Sequence, residues 1–126
     1  MTFNFDREFQ SMMQEHNLNT VILLGHLNPD GDAAGSVMGL AHYIKINYPQ
    51  YKVLPYLADT LDKGPKKQVK QDKVFNPFEK PDVKEKYAVI VCDTAVLARM
   101  IGREYYEGAE ASIVIDHHAL MKVTEM

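Results

Sequence analysis

The chain has 126 residues, 14 Lys and Arg against 17 Asp and Glu, and a formal net charge of −3. That length fits one domain and suffices to bury about two-thirds of the unfolded surface without disulfides or structural metal. Apolar residues at 46% and charged residues at 25% exclude a disordered, collagenous or coiled-coil chain. The acidic balance excludes retention on nucleic acid by bulk charge, so any nucleotide chemistry needs a local site. The lone Cys92 excludes a disulfide framework or a cysteine zinc cluster and suits a reducing cytoplasm. The segment MTFNFDREFQ has neither the basic region nor the apolar core of a secretory signal. No stretch approaches the roughly 18 apolar residues of a membrane span. A small, soluble, cytoplasmic domain is expected.

Residues 4–16 read as an amphipathic helix, with Phe5, Phe9, Met12, Met13 and His16 at steps of three and four. A continuous apolar run then places a buried strand over 21–25. Asn28-Pro29 and Asp30-Gly31 mark a loop, and a helix follows from about Asp32 to Tyr48, where Pro49 stops it. Ala34, Gly35 and Gly39 read as small residues that let this helix lie close on a sheet. Residues 52–57 form a second strand, near an edge because of Pro55.

From Asp59 to Pro81 the chain makes a surface excursion carrying Lys63, Lys66, Lys67, Lys70, Lys73 and Lys80, with a short helix and a short strand near Val74-Phe75. Its lysines are either solvated loop residues or an attractor for a phosphate-bearing substrate. Residues 87–92 are a buried strand, and a short helix from Ala95 to Ile101 ends at Gly102. A helical turn near Glu104–Glu107 precedes the last strand, 111–115. The alternation predicts an α/β domain with a Rossmann-like, mostly parallel sheet and helices on both faces.

Three polar clusters begin where apolar strands end. His26, Asp30 and Asp32 follow the first strand, Asp93 follows the third, and Asp116, His117 and His118 follow the last. In a parallel sheet the carboxyl ends of the strands share one edge, where ligands bind, so these residues are expected to converge. Packed carboxylates repel unless a cation neutralises them. Imidazoles among them point to a borderline-to-hard divalent ion: Mn²⁺ first, with Mg²⁺, Co²⁺ or Zn²⁺ as alternatives. A pair of such ions would leave net positive charge for a phosphate, as two-metal phosphoryl-transfer sites require. Taken singly, Asp32 could be a helix cap and Asp93 an ordinary strand-end residue. His16 and His42 lie on helices away from this edge and read as structural. Cys92 lacks the positive neighbours that activate a thiolate and reads as a buried small side chain.

GHLNPDGDAAGS, VIVCDT and VIDHH resemble the first three motifs of the DHH phosphoesterases, in order, spacing and placement. The resemblance implies that His26 and Asp30 bind one metal, Asp32 and His117 the other, and that Asp93 bridges both. It further implies that His118 contacts the substrate phosphate or the attacking water, while Asp116 orients the histidine pair. NPDGDAAGS looks most like the oligoribonuclease branch, which degrades short RNA and removes the 3′-phosphate of 3′-phosphoadenosine 5′-phosphate. Inorganic pyrophosphatases and cyclic-dinucleotide phosphodiesterases are relatives in the same superfamily, and a non-catalytic metal- or nucleotide-binding fragment is the reading from a different class. Family members continue with a fourth aspartate motif and a second, nucleotide-gripping domain. Neither occurs in the given sequence, which implies a partial domain, poorly active alone. Its last strand would then expose an edge able to pair with a second copy as a homodimer.

Overall fold

The computed structural model describes residues 4–25, 31–57, 63–92, 101–116 and 122–125, with backbone alone at 31–33, 63–65, 116 and 122–125. Helix α1 (Phe5–Glu15) starts at Asn4, whose side chain accepts from the Arg7 amide at 3.1 Å. That bond satisfies one of the helix's orphan donors. The helix stops where Asn17 takes φ +53°, the left-handed conformation Asn tolerates best among non-glycine residues. Strand β1 (Thr20–Leu24) is buried along its whole length. Helix α2 (Gly31–Asn47) returns the chain to β2 (Lys52–Tyr56), and α3 (Lys63–Lys70) opens the excursion that ends at β3 (Ala88–Cys92). Helix α4 (Arg103–Glu107), β4 (Ala111–Asp116) and β5 (Lys122–Glu125) complete the order.

The strands form one five-stranded sheet in the order β2-β1-β3-β4-β5. The first four are parallel, and β5 runs antiparallel to β4. The pleat sends alternate side chains to opposite faces. Val21, Leu23, Ile90 and Ile113 pack with Phe9 and Met13 of α1 and Val37 and Ile44 of α2. Ile22, Leu24, Val89, Val91 and Val114 pack instead against Tyr56, Tyr87, Tyr105 and Tyr106. This second layer is thin and tyrosine-rich, and two of its hydroxyls bond to backbone. Tyr87 donates to the Tyr105 carbonyl at 2.8 Å and Tyr105 to that of Pro81 at 2.6 Å. With both faces covered, the central strands carry apolar residues continuously, as parallel strands do.

Pro55 lies in β2, which among the described strands stands outermost beside β1, so the edge position inferred from the proline holds. Several expectations change. Gly35 and Gly39 are exposed, and a Cβ at either would meet nothing within 4 Å. They are not the close-contact residues of α2; Ala34, Val37, Ala41 and Ile44 face the sheet. Val74 and Phe75 are not strand but a turn held by Asp72, whose Oδ1 accepts from both amides at 2.8 and 2.9 Å. Gly64 and Pro65 sit in the first turn of α3, where a missing N–H costs nothing. The segment read as a helix over 95–101 lies, up to residue 100, outside the described residues. Strand β4 is not the last, and its outer edge is not bare. β5 pairs with it from Ile113↔Glu125 to Asp116↔Lys122.

Candidate functional site at the carboxyl edge

Strand order decides where ligands can bind. From β1 the chain moves outward to β2, then crosses back to β3 and continues to β4, so the winding reverses between β1 and β3. Helix α2 covers one face and α4 contributes to the other, as expected when consistently handed crossovers change direction. At such a reversal the loops leaving two neighbouring strands diverge and open a crevice at their carboxyl ends.

Three of the ends are level. Leu24 is in register with Val91, and Cys92 with Ile115. Strands lie about 4.8 Å apart, so the chain leaves β1, β3 and β4 within roughly 10 Å. His26, Asp93 and Asp116 each stand one residue beyond this level row of Gly25, Cys92 and Ile115. Asp116 is the last residue of β4, and Asp32 lies in the first turn of α2; both are placed by their backbone. His26, Asp30, Asp93, His117 and His118 lie outside the described residues. The fold thus brings together the strand ends from which the three motifs issue. Among the described residues alone, no group of three or more His, Cys, Asp or Glu is placed to hold a metal ion.

The edge is held by contacts the sequence did not announce. The Gly25 carbonyl accepts from the Ile101 amide at 3.1 Å, tying the chain that leaves β3 back to the end of β1. A Cβ on Gly25 would lie 3.0 Å from Cγ2 of Val37, so α2 rests directly on the strand exit. Gly102 takes φ +71°, and a Cβ there would meet Leu24, Tyr56 and Tyr105 at 3.0–3.3 Å. Conformation and space both require glycine at that turn. On the far side, Leu57 donates to the Pro77 carbonyl at 2.7 Å, anchoring the excursion beside the end of β2.

The other histidines stand away from this edge. His16 is exposed at the end of α1. His42 Nε2 lies 2.5 Å from Asp72 Oδ2, with its ring edge-on to Phe75 at 5.0 Å. Burial acts to raise the Asp72 pKa, but hydrogen bonds from His42 and from the Phe75 and Val74 amides outweigh it, and the net shift is downward. Cys92 is buried on the face of β3 that packs toward α1 and α2.

Residues 20–126 match the family model described as DHH family, N-terminal domain. The chain belongs to that family, as its motifs suggested. It is 34% identical over 100 residues to the bifunctional oligoribonuclease and PAP phosphatase NrnA of Bacillus subtilis, covering 79% of this chain and 29% of that protein. The probable bifunctional oligoribonuclease and PAP phosphatase NrnA of Streptococcus mutans is 35% identical over 102 residues, covering 79% and 30%. The bifunctional oligoribonuclease and PAP phosphatase NrnA of Mycoplasma pneumoniae is 28% identical over 115 residues, covering 88% and 33%. The chain spans about a third of the length of these relatives.

Proposed function

We propose that this DHH-family domain carries the catalytic edge of a phosphoesterase acting on short oligoribonucleotides and on 3′-phosphoadenosine 5′-phosphate. The observation that carries the reading is the level, adjacent termination of β1, β3 and β4, each followed in sequence by one motif of the family. The substrate class follows from the names of the relatives. Three carboxylates and two imidazoles fit divalent ions of the Mn²⁺ type. His26 and Asp30 would hold one ion, Asp32 and His117 a second, and Asp93 both. Two such ions supply charge stabilisation for the attacking and leaving oxygens of an in-line displacement.

The other duties fall to the chain itself. His118 sits next to the ligand His117 in sequence and is assigned the contact with the scissile phosphate or the attacking water. Asp116, fixed at the end of a paired strand, is assigned to orient the two histidines by accepting an imidazole N–H. Water oxygen bonds to phosphorus as the ester oxygen departs, and the gathering negative charge must be met at this edge. The test is hydrolysis of a five-nucleotide RNA and of 3′-phosphoadenosine 5′-phosphate with Mn²⁺, beside calorimetric Mn²⁺ binding. Metal-dependent release of mononucleotides supports the reading. Hydrolysis of pyrophosphate alone would replace it.

A further inference from the structure

We infer that α3 and the turn after it form a track for single-stranded RNA that leads from a lysine face to the first turns of α2. The identity of the ligand rests on the function proposed above. Charge points there first. Residues 63–80 hold six lysines against Asp72 and Glu79, a net +4 on a chain whose total is −3. Lys63, Lys66 and Lys70 recur at steps of three and four along α3 and so share one helical face. Lys67, Lys70 and Lys73 are exposed and form no ion pair among the described residues.

Shape agrees with charge. A hollow of about 560 Å³ has Lys66 and Lys70 on one wall and Asn76, Pro77 and Phe78 on the other. A second, of about 370 Å³, lies between Gln68 and Gln71 and the Ala34-Gly35 turn of α2. The two adjoin through Val69 and Asp72, which line both. The first opens beside the end of β2, because Pro77 is bonded to Leu57. The second ends within a turn of Asp32, where Gly35 leaves the wall open. The track therefore reaches the carboxyl edge.

Its lining suits a chain of phosphates and bases. The Asp72 carboxylate, the acid on the route, is engaged by His42 and two backbone amides. Lys66 Nζ stands 5.8 Å from the ring centre of half-buried Phe78. A cation beside an aromatic face offers a stacking platform for a base next to a partner for its phosphate. An acidic peptide would use the lysines but leave the ring unused.

The experiment is fluorescence anisotropy of this chain with a labelled five-nucleotide RNA in EDTA, across a salt series, with thermal melts to verify folding. Lys66→Gln/Lys70→Gln should flatten the slope of log affinity against log salt by about 1.4, roughly 0.7 per lost phosphate contact on a single strand. Phe78→Leu should weaken binding by at least about fivefold, the low end for a base–aromatic stack, with the slope kept. Lys66→Arg/Lys70→Arg should restore the parent slope. An unchanged slope in the glutamine variant, or equal losses for RNA and a poly-glutamate peptide, overturns the track. Lysine-dependent RNA binding with neither Mn²⁺ binding nor any Mn²⁺-dependent hydrolysis would sink the proposed function and leave the track standing. Hydrolysis with an unaltered KM in the glutamine variant would do the reverse.

Discussion

Gly25 occupies the point where β1 passes the chain to His26, and at 3.0 Å its would-be Cβ would press on Val37, which would have to give way by a few tenths of an ångström. Val37 is fully buried and β-branched, so it cannot rotate aside cheaply. Gly25→Ala should therefore destabilise the chain by about 1–3 kcal/mol, the usual cost of overpacking. Val37→Ala in the same chain should relieve part of that loss. Urea titration decides; additive losses in the double variant would show that the contact is not the cause. Gly39→Ala should do the opposite, since the added methyl meets nothing and an exposed helical glycine costs about 0.5–1 kcal/mol relative to alanine. At the proposed catalytic edge, Asp93→Ala should abolish whatever hydrolysis the parent shows and lower the Mn²⁺ stoichiometry, because the proposal assigns the residue to both ions. Glu107→Gln, in an exposed pair with Arg103 on α4, should leave both unchanged. Equal damage from the two would count against the assignment.

Between elements, Asp6 of α1 is clasped by α2 and the residue that follows it. Tyr48 donates to Asp6 Oδ1 at 2.5 Å and Tyr43 to the same oxygen at 2.7 Å. The bonds from Tyr48 and then Tyr43 lower the Asp6 pKa, and the bond to Asp6 pushes Tyr48 up to about 12. A phenol whose folded pKa is raised stabilises the fold fully below its unfolded pKa near 10, and that contribution disappears as pH rises toward 12. Thermal melts should thus show a loss of stability between about pH 10 and 12 that is shallower in Tyr48→Phe. The slope should not vanish, because burial also raises Tyr87 and Tyr105. An identical slope in the variant would mean that the clasp is open in solution.

The same scale shows what the sequence could announce. β1 and β3 are buried on both faces, so unbroken apolar runs revealed them to within a residue. β5 is four residues of mixed character, KVTE, defined by its pairing and not by composition. The buried stripe of α2 runs through Ala34, Val37, Ala41 and Ile44, so its period already set Gly35 and Gly39 on the other side. Reading those glycines as contact residues ignored that period. Three strand-end motifs gave away the edge; the lysine hollows are assembled from segments that meet only in the folded chain.

Across the whole molecule, the sheet must terminate safely on two sides. On one, β2 carries Pro55 and the exposed Lys52, both unfavourable to a pairing strand. On the other, β4 presents ASIVI, a β-prone run that the antiparallel β5 covers, leaving the short and charged KVTE outermost. The pairing Asp116↔Lys122 also ties both ends of the five-residue link 117–121, which holds His117 and His118. One strand thus closes the sheet and pairs with the residue that opens the DHH signature. Deleting residues 122–126 should separate these effects from the core, since α1, α2 and the first four strands keep their packing. The shortened chain should self-associate with rising concentration more than the full chain does, because unpaired N–H and C=O groups on an apolar edge recruit another strand. Its Mn²⁺ affinity should fall as well, since Asp116, the strand-end residue before the proposed ligand His117, loses its paired neighbour Lys122. Light scattering across a concentration series and a Mn²⁺ titration read the two outcomes independently. A shortened chain as dispersed and as metal-avid as the full one would show that β5 neither guards the sheet nor supports the proposed metal site.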